Sequence, residues 1–459
     1  MELKNIRAVY FVGAGGIGMS AIARYFMSKG VVTAGYDRTP SELTRCLERE
    51  GMLLHYEEDT ERIPHACRDK ASCLVVYTPA VPAEHKELAY FRERGYEIQK
   101  RAEVLGTITR SSKGLCVAGT HGKTTTSAMC AHIMRQSHVD CNAFLGGISK
   151  NYGTNCLLSP KSDFVVVEAD EFDRSFHHLS PWMTVITSTD ADHLDIYGTK
   201  EAYVEAFAHY TSLIQSGGAL IVHDGLEVKP RLCEGVRLYT YGGVASDFRA
   251  ENVRIEAGTV TFDFVSPIES ICDVRLGQPI PVNVDNGTAA MAMAQLNGCT
   301  AEELIYGMAT YKGVERRFDF KINTPQLVFL SDYAHHPNEI RQCARSLKQL
   351  YGSRTVTVIF QPHLYSRTRD FHADFAAALG MFDEVVLCDI YPAREAPIEG
   401  ITSETIYADI ASGVKKALVH KDDVLTYVSG RAFDVLVVLG AGDLDDLVPA
   451  ITTILTSRQ

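Results

Sequence analysis

The 459-residue chain has no basic surplus: Lys and Arg total 45 against 57 Asp and Glu, a formal net charge of −12. A non-specific nucleic-acid binder needs a basic face that displaces counterions, so that class is excluded. No apolar run approaches the ~20 residues needed to cross a bilayer; stretches such as Val435–Leu439 are of strand length. The 12 cysteines include no Cys-x-x-Cys pair. A chain of this size needs no disulfide framework, and scattered thiols fit a reducing compartment. The opening Met-Glu-Leu-Lys-Asn-Ile-Arg runs straight into a strand-like segment, without the layout of a signal peptide. The expectation is a cytoplasmic protein with neither a nucleic-acid nor a membrane partner.

What is present is an α/β rhythm. β-branched runs at Ala8–Val12, Val31–Tyr36, Cys73–Tyr77, Leu115–Ala118, Phe164–Val167 and Val185–Thr187 alternate with helical patterns. The signal returns at Thr355–Phe360, Glu384–Cys388 and Asp434–Leu439. Continuous apolar strands separated by helices predict parallel sheets covered on both faces. Between Leu220 and Val282 the pattern shifts to short strands with Gly and Pro, which predicts an antiparallel insert. Breaks near 106–113 and 316–323 divide the chain into three α/β units, 1–107, 108–316 and 317–459.

The sharpest local signal is Gly119-Thr120-His121-Gly122-Lys123-Thr124-Thr125-Thr126, between a predicted strand and a helix running to about Arg135. Backbone N–H groups at a glycine turn, the helix N-terminus, a lysine for the terminal phosphates and a hydroxyl for Mg²⁺ make an ATP-type site. Val117 stands where the common loop has its first glycine. A second loop, Gly13-Ala14-Gly15-Gly16-Ile17-Gly18, has Asp37 about 20 residues on, at the end of the next strand. NAD, a UDP-sugar and a purely structural turn all suit that pattern.

Acidic strings follow two predicted strands: Glu168-Ala169-Asp170-Glu171-Phe172-Asp173 and Asp190-Ala191-Asp192-His193-Leu194-Asp195. Hard oxygen ligands beside a phosphate loop suit Mg²⁺. His193 reads either as a second metal ligand or as a capping or packed histidine. In the last third, Asp332-Tyr333-Ala334-His335-His336-Pro337 and Phe360-Gln361-Pro362-His363 with Arg367 lie just past strands, where parallel sheets bind ligands. Arg367 suits a substrate carboxylate.

In this order, the strings resemble the Mur ligase family of peptidoglycan synthesis. They are the phosphate loop, Glu168 to Phe176, Asp192 to Tyr197, Arg316-Arg317-Phe318, Asp332 to Pro337 and Phe360 to His363. The resemblance implies an N-terminal UDP-sugar-binding Rossmann-like domain and a central P-loop ATPase with a mostly parallel sheet plus a small antiparallel one. A C-terminal Rossmann-like domain completes the chain. It implies ATP and Mg²⁺ as cofactors, UDP-N-acetylmuramate and L-alanine as substrates, and a monomer or homodimer. The reaction would join L-alanine to the lactyl carboxylate through an acyl phosphate.

Carried over residue by residue, Gly15, Gly16, Gly18 and Asp37 would hold the UDP-sugar, and Gly119, Thr120, His121, Gly122, Lys123, Thr124 and Thr125 the ATP phosphates. Asn283 and Asn286 would meet the adenine, and Arg317 and Asp332 would also serve ATP. Thr124, Glu168 and His193 would hold Mg²⁺. Tyr333, His335, His336, His363 and Arg367 would form the amino-acid and catalytic corner, with Lys123 and His193 also catalytic. Three positions depart from the family pattern: Val282 where a histidine is expected, Ser188 for an asparagine and Leu364 for a second arginine. Between Lys200 and Lys229 there is no lysine to be carbamylated as in sister ligases.

Overall fold

Four β-sheets organise the chain in a computed structural model that describes residues 3–78, 81–82, 84–192, 194–256, 258–393 and 395–458. The first sheet comprises β1 (Ala8–Val12), β2 (Val32–Tyr36), β3 (Leu53–His55), β4 (Cys73–Tyr77) and β5 (Glu97–Lys100). Its order is β3-β2-β1-β4-β5, all parallel. The order reverses beside β1, so the Gly13–Gly18 loop leaves at the switch point, where ligands bind in open α/β sheets.

The second sheet contains β6 (Lys113–Ala118), β7 (Asn142–Ser149), β8 (Thr154–Leu157), β9 (Phe164–Glu168), β10 (Met183–Ile186), β11 (Ala219–His223) and β12 (Arg237–Tyr241). They are ordered β12-β11-β10-β6-β9-β7-β8, and only the edge strand β8 runs antiparallel. β6 is central, flanked by β10 and β9, so the phosphate loop and both acidic strings leave neighbouring strand ends. A third sheet is built from β13 (Arg249–Glu256), β14 (Thr259–Val265) and β15 (Ser270–Arg275), the last two antiparallel. The insert is therefore shorter than its composition predicts. β12 and all but the first residue of β11 lie within 220–282 yet extend the parallel sheet, with Leu220 and Ile221 fully buried on β11, which pairs with β10.

The fourth sheet holds β16 (Asp319–Asn323), β17 (Val328–Asp332), β18 (Val356–Phe360), β19 (Glu384–Leu387), β20 (Lys415–Leu418) and β21 (Val435–Leu439). The order is β16-β17-β21-β18-β19-β20, parallel except for the β16–β17 hairpin. Every residue of β18 and β21 is buried, as unbroken apolar runs require.

The chain forms two compact units. One takes the chain to Arg254 with Thr261–Gln278 and Asn283–Lys312; the other holds Ile255–Val260, Pro279–Val282 and Gly313–Gln459. In the first unit one apolar cluster runs from Val9 and Phe11 through Phe144 and Val165 to Tyr203 and Phe207, and a second, with Tyr10, Val75 and Phe91, covers the other face of the first sheet. Arg24 and Asn155 bond across the two sheets at 3.0 Å, and Asn155 donates to the Ile17 carbonyl. Residue 107 lies inside this unit, within helix Arg101–Arg110. No described helix is long and apolar enough to cross a membrane.

Candidate active site

At the end of β1 the glycine loop turns into helix Ile17–Ser28, whose N-cap, Gly16, offers no side chain to cap the first N–H groups. The Gly15 N–H donates to Asp37 Oδ2 at 2.6 Å, and the Thr39 N–H donates to Oδ1 at 3.1 Å. Asp37 therefore braces the loop as well as standing at the end of β2. A Cβ on Gly18 would lie 2.6 Å from Arg101 Nη1, so the absent side chain makes room for a guanidinium. Arg101 in turn pairs with Asp170 at 3.7 Å. A cleft of about 310 Å³ is lined by Gly16, Gly18, Arg101, Gly146, Glu168 and Asp170 among others. It joins the first glycine loop to the first acidic string inside one unit.

The phosphate loop follows β6. Gly119 (φ +133°) and Gly122 (φ +80°) take left-handed conformations, and a Cβ on Gly119 would sit 2.1 Å from Thr187 Oγ1. Ser188 Oγ accepts from the His121 N–H at 2.8 Å, and Thr120 Oγ1 donates to the Asp190 carbonyl at 2.7 Å. His121 Nε2 lies 3.4 Å from Asp190 Oδ2. The segment after β10 thus clamps the loop's far side, and Ser188 is a working part of that clamp. Lys123 Nζ donates to Gly119 O at 2.6 Å and Thr120 O at 3.2 Å, and lies 2.9 and 2.8 Å from the two oxygens of Glu171. Burial opposes the Lys123 charge, but the carboxylates of Glu171, Asp170 and Glu168 outweigh it and raise its pKa. Burial, partly offset by Lys123, pushes the Glu171 carboxyl up to about 7.

Asn286 Oδ1 accepts from Thr126 on the loop helix at 3.1 Å, while its Nδ2 donates to Asn283 Oδ1 at 3.1 Å. Of the two asparagines expected at the adenine, Asn286 is therefore tied to the helix that the phosphate loop opens, and Asn283 to Asn286. Thr124 is buried at the helix start. Glu168 Oε2 is buried without a hydrogen-bond partner, an acceptor with nothing from the chain to satisfy it. One hydroxyl and one carboxylate fit Mg²⁺, which is held by few protein ligands together with substrate phosphates. Among the described residues no group of three or more His, Cys, Asp or Glu could by itself hold a metal. His193 lies outside the described residues.

In the second unit, Asp332 ends β17 and accepts from the Phe318 and Ala334 N–H groups, both at 2.7 Å. Burial pushes its carboxyl up to about 6, against the pull of Arg317 and those two donors. Arg316 is a structural residue: it binds the Gly440 and Gly442 carbonyls at 3.3 and 3.2 Å and pairs with Asp445 at 3.2 Å. Arg316 and Arg317 both place their guanidinium carbons 4.9 Å from the Tyr333 ring centre.

His335, His336 and His363 separate by environment. His335 Nδ1 lies 2.9 Å from the Tyr333 carbonyl, which can only accept, so Nδ1 carries the proton and Nε2 is the basic nitrogen. Glu339 accepts from the His335 and His336 N–H groups at 2.9 and 3.2 Å and stands 3.5 Å from His335 Nδ1. Burial lowers the His335 pKa, so the ring is neutral at pH 7. His336 instead caps helix Pro337–Tyr351, its Nδ1 accepting from the Asn338 N–H at 3.3 Å, and it packs on Phe371. His363 stacks on Tyr391 with its Nδ1 buried and without a partner, and burial, His335 and Arg367 take its pKa down to about 4. Leu364 follows at φ +74°, a left-handed conformation strained for leucine, and opens the helix that carries Arg367.

Sequence reasoning overlooked Arg101 and the pairing role of Glu171. Glu171 stood within a recognised acidic string, but nothing in the string distinguishes the oxygen that meets Lys123. Arg101 has no motif at all; only folding brings the start of its helix over Gly18.

Three family models match the chain in succession: the Mur ligase family catalytic domain over residues 8–113, the Mur ligase middle domain over 117–294, and the Mur ligase glutamate ligase domain over 316–442. A UDP-N-acetylmuramate–L-alanine ligase of Phocaeicola vulgatus is 60% identical over 458 residues, covering 100% of both chains. Its counterpart in Porphyromonas gingivalis is 54% identical over 96% of this chain and 98% of its own. Among solved structures, a UDP-N-acetylmuramate–alanine ligase of Thermotoga maritima superposes with a TM-score of 0.80 at 26% identity, covering 98% of each chain. A murein peptide ligase of Psychrobacter arcticus shares the fold, with a TM-score of 0.69 at 19% identity and 98% of each chain covered. With identity this high over the full length, and all three modules in order, the chain belongs to the Mur ligase family.

Proposed function

We propose that the protein is an ATP-dependent carboxylate–amine ligase that joins L-alanine to the lactyl carboxylate of UDP-N-acetylmuramate in peptidoglycan precursor synthesis, acting in the cytoplasm. The observation that carries the reading is the phosphate loop with Lys123, Glu171 and Glu168 set beside the glycine loop in one cleft-bearing unit. The full-length relatives named for this reaction support the choice of substrates. The working modules are 1–107 for the UDP-sugar, 108–316 for ATP and 317–459 for the amino acid.

An amide does not form from a carboxylate at neutral pH without a better leaving group, and transfer of the ATP γ-phosphoryl to the lactyl carboxylate supplies one. Gly119 to Thr125 cradle the phosphates, and Lys123 neutralises charge as it shifts onto the transferring group. Thr124 and Glu168, with His193, would hold Mg²⁺, which would supply positive charge to the phosphates; Asn283 and Asn286 would hold the adenine. Gly16 and Gly18 bring the backbone close to the UDP-sugar, and Gly15 holds the turn there through its N–H bond to Asp37. In the second unit Arg317 and Asp332 serve the nucleotide. Tyr333, His363 and Arg367 bind the amino acid, Arg367 through its carboxylate.

L-Alanine arrives as an ammonium and must lose a proton before its amine can attack. His335 is the base, because its Nδ1 proton is committed to Tyr333 O and its ring is neutral. His336 contributes by fixing the helix beside it.

The test is phosphate release with Mg²⁺–ATP and UDP-N-acetylmuramate, adding L-alanine, glycine, L-serine or the Ala-Glu-diaminopimelate tripeptide in turn. Release strongest with L-alanine, and a product heavier by one alanyl residue, is the expected result. Release with the tripeptide alone assigns the protein to peptide recycling instead, and silence with every amine refutes the ligase reading.

A further inference from the structure

We infer that Glu171 is a resident counter-ion which the nucleotide phosphates displace from Lys123, so that this carboxylate sets the affinity for ATP. The inference rests on the ATP reading of the loop and adds to it a positioning residue for Lys123. A lysine ammonium has three protons, and here all three are committed: to Gly119 O at 2.6 Å, to Thr120 O at 3.2 Å and to Glu171 at 2.9 Å. A phosphate oxygen can take one only by exchange.

Two of the three acceptors are carbonyls of the loop itself, which remain beside the lysine whatever binds. The third carries a charge of the same sign as the phosphates, so it gives way most readily. Glu171 is 1% exposed, so its carboxylate is shut off from bulk solvent. Its place is set from outside the loop: the Tyr197 hydroxyl donates to its backbone carbonyl at 2.6 Å, and the Tyr203 hydroxyl lies 3.4 Å from its Oε1. Tyr203 also bonds Thr120 Oγ1 at 2.9 Å, so one phenol spans the counter-ion and the phosphate loop. This arrangement keeps Lys123 extended along the loop and makes part of each binding event an exchange of one anion for another.

The consequence has a sign opposite to that of a supporting contact. Removing the charge but keeping the shape should tighten nucleotide binding, because Lys123 loses its competitor and the phosphates lose a repelling neighbour. The test is calorimetric titration of the full chain with a non-hydrolysable ATP analogue and Mg²⁺. Wild type is compared with Glu171→Gln, Glu171→Asp and Asp173→Asn, each checked by its unfolding midpoint. Glu171→Gln is expected to lower the Kd on the order of tenfold, the scale of one charged hydrogen bond. Glu171→Asp, with its carboxylate one methylene further from Nζ, should fall between the two. Asp173→Asn removes a charge from the same string that pairs with Lys100 rather than Lys123, and should stay within about twofold of wild type. An unchanged or weaker Kd in Glu171→Gln overturns the exchange, as does an equal gain in Asp173→Asn. Absence of binding by wild type overturns the ATP reading itself, and the exchange with it.

Discussion

Replacing Lys123 with methionine keeps the length of the side chain and removes its charge, which leaves Glu171 buried without its cation. In the unfolded chain a glutamate ionises near 4.5, whereas in the folded wild type burial has moved Glu171 to about 7 even with Lys123 beside it. Between those values the folded state holds the extra proton, so wild-type stability declines as pH rises from 4.5 to 7 and then levels off. Without Lys123 the carboxyl keeps its proton to still higher pH, and the decline continues. The variant's deficit therefore opens above pH 7 at about 1.4 kcal/mol per pH unit, reaching about 2 kcal/mol near pH 8.5. Loss of the Nζ bonds to Gly119 and Thr120 adds about 1 kcal/mol at all pH values. Urea unfolding of wild type, Lys123→Met and Lys123→Met/Glu171→Gln at about pH 6, 7 and 8.5 reads both terms. The double variant should lose the pH-dependent part. A deficit that is flat with pH, or one that persists unchanged in the double variant, refutes the account of the pair. Turnover in both variants should fall by about three orders of magnitude, since the loop's own cation is lost from the transferring phosphoryl group.

Gly119→Ala should cost about 2–3 kcal/mol in thermal unfolding and raise the KM for ATP, because Thr187 Oγ1 is held by the Ala118 and His121 carbonyls and cannot retreat from the new Cβ. His335→Gln should lower kcat by about 10²–10⁴ with little change in stability, while His336→Ala should cost about 1–3 kcal/mol of stability through the lost cap and ring packing. Comparing kcat and urea midpoints of the two variants checks this division, and equal effects on kcat would defeat it. His132 is buried between the Tyr152 and Thr310 hydroxyls, and burial takes its pKa from 6.5 down to about 4. The stability this provides is complete above pH 6.5 and lost as pH falls towards 4, about 3 kcal/mol in all. His132→Gln should flatten that part of the acid unfolding curve.

Strand positions and the loops that follow them were legible because buried parallel strands demand unbroken apolar runs, and β1, β4 and β21 fall within a residue of where those runs lie. The hairpin β7–β8 and edge strand β16 were not legible, since β7 carries two glycines and β16 alternates polar and apolar residues. β11 and β12 read as part of an antiparallel insert because their flanks hold Gly and Pro. Their parallel pairing depends on partners remote in the chain.

By itself the sequence determined which residue types are available at each strand end: glycines where backbone must approach phosphate, a lysine and threonines opening a helix, acids and histidines after buried strands. Those choices follow from local geometry and charge. Tertiary structure alone decided the partnerships. It placed Arg101 over Gly18, set Glu171 rather than its neighbours on Lys123, tied Asn286 to Thr126, and gave His335 a fixed tautomer while turning His336 into a cap. Such pairings depend on distance and burial between segments far apart in the chain, and pKa values follow from the same two quantities.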